Sequence, residues 1–161
     1  RAFEHLQRWT RRWLTKPRLK AVLIGGMAVL GAWELSELVR LLLAARDPLQ
    51  FRMMVTAWTE LGAIASTSSI FWFAGRVAIE GSEGLLLVLS SWLLVFGRDR
   101  AGTALAILTL VFALTAVNLV AFYVDQFSTI LNALIQFILL VSALLLQNQL
   151  DLEEYAASAS D

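Results

Sequence analysis

Residues 101–124 and 126–150 contain no Asp, Glu, Lys, Arg or His. Each run exceeds the roughly 20 apolar residues that cross about 30 Å of hydrocarbon at about 1.5 Å per residue. Lipid offers no partner to backbone N–H and C=O groups, so such a segment is a helix or part of a closed barrel. Neither run alternates apolar with polar residues as a barrel strand does. The chain therefore reads as all-α, a polytopic integral membrane helical bundle. Its composition agrees: 58% of residues are hydrophobic and 16% charged, against about 45–50% and about 25% in soluble domains. These figures exclude a soluble enzyme, a disordered chain, a coiled coil and a nucleic-acid binder. The 161 residues leave no room for a separate soluble domain.

Three further apolar segments complete an expected set of about five hydrophobic helices. Residues 21–45 begin without charge but carry Glu34, Glu37 and Arg40 in their second half. Residues 51–75 contain Glu60, and Asp47-Pro48 ahead of them reads as a turn or helix start, since Pro fits a first helical turn. Residues 84–97 are uncharged but too short to span. They reach spanning length only by starting near Val77 and taking Glu80 and Glu83 along. That leaves four or five crossings, four if the third segment lies at the interface. The joins are short, so neighbours in sequence should pack antiparallel, with residues 19–150 as the bundle.

The ends are polar and opposite in charge. Residues 1–18 read as a basic amphipathic interfacial segment, with Phe3, Leu6, Trp9 and Trp13 at spacings of three and four among Arg8, Arg11, Arg12 and Lys16. Anionic lipid is its expected partner. It does not read as a signal peptide, because the apolar segment after it has no small-residue cleavage pattern and carries Glu34 and Glu37. The initial Arg1 points to a processed or trimmed start. Residues 151–161, with Asp151, Glu153, Glu154 and Asp161, form an expected acidic polar tail. Counting Lys and Arg near the helix ends places the N-terminus in the cytoplasm. It also favours four crossings, which bring Arg98 and Arg100 to the side of the N-terminal basic residues.

Intramembrane acids are costly and commonly mark ion or proton paths. If the first two segments form an antiparallel hairpin about Pro48, Glu37 and Glu60 share a depth, Glu34 lies one turn deeper and Arg40 one turn shallower. Glu34, Glu37 and Glu60 then form an acidic cluster with Arg40 as the nearest cation, where repulsion between like charges favours a bound proton or cation. The competing reading pairs Glu37 with Arg40 and gives Glu60 a hydrogen-bond partner such as Ser36. Ser66, Thr67 and Ser69 either continue a polar path from Glu60 or bond to their own helix. About a turn at Asp125, Asn118 faces Asn132 and Thr115 faces Gln136, two interhelical polar pairs that act as structural glue. Gly25, Gly26, Ala28, Gly31 and Ala32 thin one side of the first helix for close approach within the chain or between subunits.

Enzyme chemistry finds no motif. There is no Cys, and the lone His5 lies in the polar N-terminal stretch, so thiolate and His-based intramembrane sites are excluded. The sequence names no cofactor. The expectation is a homo-oligomeric channel or carrier for a cation or proton that uses the intramembrane acids. The alternative is a non-catalytic accessory or assembly subunit that docks on other membrane subunits through its thin first helix.

Overall fold

The computed structural model describes residues 15–61, 69–97, 101–122 and 126–158. They form five helices: α1 (Lys16–Ala44), α2 (Pro48–Leu61), α3 (Ser69–Phe96), α4 (Ala101–Phe122) and α5 (Gln126–Ser158). Pro17 sits in the first turn of α1, where its missing N–H removes no helical bond. Asp47 caps α2, accepting from the backbone N–H of Leu49 at 2.8 Å and of Gln50 at 3.4 Å.

Among the described residues four helices are long and apolar enough to cross a membrane: α1, the Phe73–Phe96 part of α3, the Ala101–Val120 part of α4 and the Phe127–Ser158 part of α5. The chain is thus an all-helical membrane bundle. The described part of the second helix is not among these four. At 14 residues α2 reaches about 21 Å, short of about 30 Å. The third apolar segment spans because it begins well before residue 84 and takes Arg76, Glu80 and Glu83 inside. Asp151, Glu153 and Glu154, expected in a tail, continue α5, which runs to Ser158, and Asp161 lies outside the described residues.

The four long helices close a ring in the order α1, α3, α4, α5, each antiparallel to its neighbours. Ser91 on α3 donates to the Ile24 carbonyl on α1 at 3.0 Å, while Gly84, two turns earlier on α3, lies against Leu35, three turns later on α1. On the far side of α1, Lys16 pairs with Glu153 of α5 at 2.6 Å. The expected α1–α2 hairpin is replaced by α1 on α3. An added Cβ at Gly31 would lie 2.8 Å from Val88 and 3.1 Å from the Gly84 carbonyl. Of the small residues of α1, Gly31 is therefore used against α3 and Gly26 against Leu139 of α5, while Gly25, Ala28 and Ala32 stay exposed. Helix α2 keeps a light hold on the ring, with Phe51 edge-on to Phe73 at 5.3 Å.

One half of the bundle interior is apolar, built from Leu23, Met27, Leu87, Leu94, Leu108, Leu139 and Leu146. The outer surface is apolar as well, with Val29, Phe96, Val120 and Phe127 at least 70% exposed. In water that surface would be an aggregation liability; against acyl chains it is the required coat. Gly31→Ala should destabilise the bundle by about 1–3 kcal/mol, because the new methyl meets backbone as well as Val88. Gly25→Ala meets nothing within 4 Å and should be neutral or stabilise by up to about 1 kcal/mol. Unfolding of both variants in detergent checks the opposite signs.

Candidate functional site

The interior of the other half is polar, and every long helix contributes to it. Helix α3 supplies Arg76, Glu80 and Glu83, whose spacings of four and three put them on one face. Helix α1 supplies Glu34, α4 supplies Thr115 and Asn118, and α5 supplies Asn132 and Gln136. Glu34 lies ten residues before the end of α1, about 15 Å inside the bundle, and Asn132 six residues into α5, about 9 Å inside. Glu34, Glu80, Glu83, Thr115, Asn118 and Gln136 are all buried, at 4% exposure or less.

Their hydrogen bonds link the four helices. Gln136 donates from Nε2 to Thr115 Oγ1 at 2.8 Å and to Asn132 Oδ1 at 3.1 Å. Asn132 in turn donates to Glu34. The Thr115 hydroxyl has one proton and three acceptors in reach: Glu83 Oε1 at 3.0 Å, and Gln136 Oε1 and the Val111 carbonyl each at 3.1 Å. Across the ring, Arg76 donates to Asn118 and pairs with Glu80, while Asn118 donates from Nδ2 to the same Glu80 at 3.5 Å.

Glu34, Glu80 and Glu83 each place a carboxyl oxygen within 4.8 Å of the other two. Three carboxyls against the single guanidinium of Arg76 leave an excess of two negative charges if all are ionised. Uncompensated charge in a low-dielectric interior is costly, so this excess is removed by bound protons or by a cation. The donors are all oxygens, which suits protons and hard cations rather than soft metals.

A cavity of about 430 Å³ leads to the cluster from the end of the bundle where α1 finishes and α5 begins. Glu34, Glu80, Arg76, Asn118 and Asn132 line its inner part. Glu37, Arg40, Leu41, Ala44 and Met54 lie toward its mouth. Beyond Glu83 the interior turns apolar, apart from Ser91 on its carbonyl and Ser90, whose buried hydroxyl has no partner among the described residues.

Of the expected acidic cluster, Glu34 is inside and Glu37 is not. Glu37 pairs with Arg40 at 2.7 Å on the helix surface, since a spacing of three lets the two meet without crossing to another helix. Glu60 falls on α2, and its side chain lies outside the described residues, as do Ser66, Thr67 and the side chain of Ser69. The N-terminal interfacial segment likewise lies outside them up to residue 14. The Thr115–Gln136 pair forms as expected. Asn118 and Asn132 turn instead to Glu80 and Glu34, because carboxylates are stronger acceptors than another amide. Sequence reasoning missed Arg76, Glu80 and Glu83 as a site. The one-face spacing of these three residues was the available signal.

Thr115→Val should destabilise the protein by about 1–2 kcal/mol, since it leaves Glu83 and Gln136 short of a partner inside the bundle. Thr115→Ser keeps the hydroxyl and should stay within about 0.5 kcal/mol of wild type. Denaturant titration in detergent measures both.

Comparison with protein-family models, with curated proteins and with solved structures finds no match. The functional reading therefore rests on the buried acidic centre itself.

Proposed function

We propose that the protein is a carrier that binds a proton or small cation at Glu34, Glu80 and Glu83 and exchanges it through the cavity. The observation that carries this reading is the cluster of three buried carboxyls, two of which, Glu34 and Glu80, line a cavity open at one end of the bundle, with Glu83 behind them. A channel needs a polar route from end to end. Here the interior past Glu83 is apolar, with Ser90 two turns further along the same face of α3 as its isolated polar atom. A site reached from one end, with a barrier beyond it, suits binding and release in separate steps. It is assembled from four helices of one chain and needs no second copy. Of the small residues offered as a docking stripe, Gly31 faces α3 and Gly26 faces Leu139 of α5, while Gly25, Ala28 and Ala32 stay exposed, so part of the stripe is used inside the chain and part is open.

Reconstituted into vesicles with a trapped pH dye, the wild type should pass protons or exchange them for a cation under an imposed gradient. Glu34→Gln, Glu80→Gln and Glu83→Gln should each lower the flux at least about tenfold, the scale on which positioned proton-transfer groups act. Glu153→Gln, at the opposite end, should not. No wild-type flux, or flux indifferent to all three substitutions, overturns the reading in favour of an accessory subunit, which would co-purify with a larger complex.

Orientation belongs to the same proposal. Four crossings put the basic residues ahead of α1 and those between α3 and α4 at one end, and Arg40, Arg46 and Arg52 at the other. Excess Lys and Arg mark the cytoplasmic side, and the basic N-terminal segment suits its anionic leaflet. The cavity then opens away from the cytoplasm. The chain has no Cys, so single cysteines report cleanly. In intact cells Gln50→Cys should react with an impermeant maleimide and Ser158→Cys only after permeabilisation. The reverse pattern would invert the assignment.

A further inference from the structure

We infer that Arg76 is a tethered cation that closes the acidic centre to metal ions and leaves it to protons. This rests on the carrier reading and names its substrate. Arg76 lies on α3 one turn nearer the cavity mouth than Glu80, and two turns nearer than Glu83. Its guanidinium is largely buried, lines the cavity, and is held from two sides: it pairs with Glu80 and donates to Asn118. Asn118 also donates to Glu80, so one amide orients both partners. The arrangement fixes a positive charge on the approach to the carboxyls, against an oxygen of Glu80 that an incoming cation would use.

Ionised, the three carboxyls would outnumber Arg76; what Arg76 changes is the approach, because it takes up Glu80 beside the cavity. From α1, Glu34 is in the cluster, while Glu37 and Arg40 neutralise each other at the mouth. From α3 come Glu80 and Glu83. Helices α4 and α5 present the neutral Thr115, Asn118, Asn132 and Gln136. A hard cation entering by the cavity must therefore approach a desolvated guanidinium that is bonded in place, and like charges so placed repel strongly. A proton needs no such approach. It arrives by exchange along water and the hydrogen-bonded side chains, and it adds no ion that must be coordinated beside Arg76.

The test is Mn²⁺ binding by the full-length protein in detergent, read from the electron paramagnetic resonance signal of free Mn²⁺. Mn²⁺ is chosen because carboxylate and amide oxygens suit it. Wild type should bind no Mn²⁺ that Glu80→Gln removes. Arg76→Gln should bind one Mn²⁺ at least about tenfold more tightly than wild type, since it removes the like charge and leaves three carboxyls. Arg76→Lys should behave as wild type, and Arg76→Gln with Glu80→Gln should lose the site. If Arg76→Gln is not monodisperse, Arg76→Met, which keeps the aliphatic stem, takes its place. Tight Mn²⁺ binding by wild type, or no gain when the charge is removed, overturns the inference. Binding is read without transport, so a failed vesicle flux refutes the carrier alone. A failed Mn²⁺ result leaves a carrier whose site is open to metal cations.

Discussion

Where Gly31 of α1 meets Gly84 and Val88 of α3, the two backbones approach so closely that a single methyl would strike a carbonyl oxygen. Glu34 follows Gly31 by one turn, Gly84 adjoins Glu83, and Glu80 lies one turn away from Gly84. The distance between these helices is therefore also the distance between acids on different helices. With ordinary side chains at Gly31 and Gly84, α1 would sit further out, and Glu34 would no longer share a site with Glu80 and Glu83. In the membrane no hydrophobic force drives helices together, so small residues that permit close contact and polar groups that seek partners are the main means of holding them. Here both act at the same level of the bundle.

The amides and hydroxyl of α4 and α5 complete the arrangement from the other side. Thr115, Asn118, Asn132 and Gln136 carry no charge, yet each bonds toward a carboxyl or to a neighbour that does. They supply what water would supply to these acids at the surface, without adding further charge. Buried polar groups left unpaired are expensive, and a network with every member satisfied is the form in which such groups persist. The apolar half beyond Glu83 has no counterpart, so among the described residues the buried acids are confined to one half of the bundle interior.

The membrane class and the last two spans follow from uncharged runs that admit no other physical solution, and Thr115 opposite Gln136 follows from counting residues about a short turn. The first two segments misled because their pairing was inferred from adjacency in sequence. Among the described residues α1 packs on α3 and not on α2, so Glu34 joins Glu80 and Glu83, and Glu37 is left to Arg40 at the surface. Residues 84–97 already pointed to this: a span that must borrow Glu80 and Glu83 to reach full length must also bury them, and buried acids need company. Asn118 and Asn132 were placed at the right depth, but depth does not tell an amide whether a carboxylate will outbid the amide across from it.

The joins of the ring are unequal. Helices α3 and α4, and α4 and α5, are connected by a few residues each, whereas α1 reaches α3 through the whole of α2 and the residues after it, and no join runs between α5 and α1. The three-helix unit α3–α4–α5 is thus tied together at alternate ends, while α1 is covalently attached to it by a single long strap. By covalent connection alone α1 is the least tied of the four long helices, so its close packing at Gly31 and Gly84 is what keeps its single acid with the other two. A small displacement of α1 would part Glu34 from Glu80 and Glu83 without disturbing Arg76, Asn118 or Thr115.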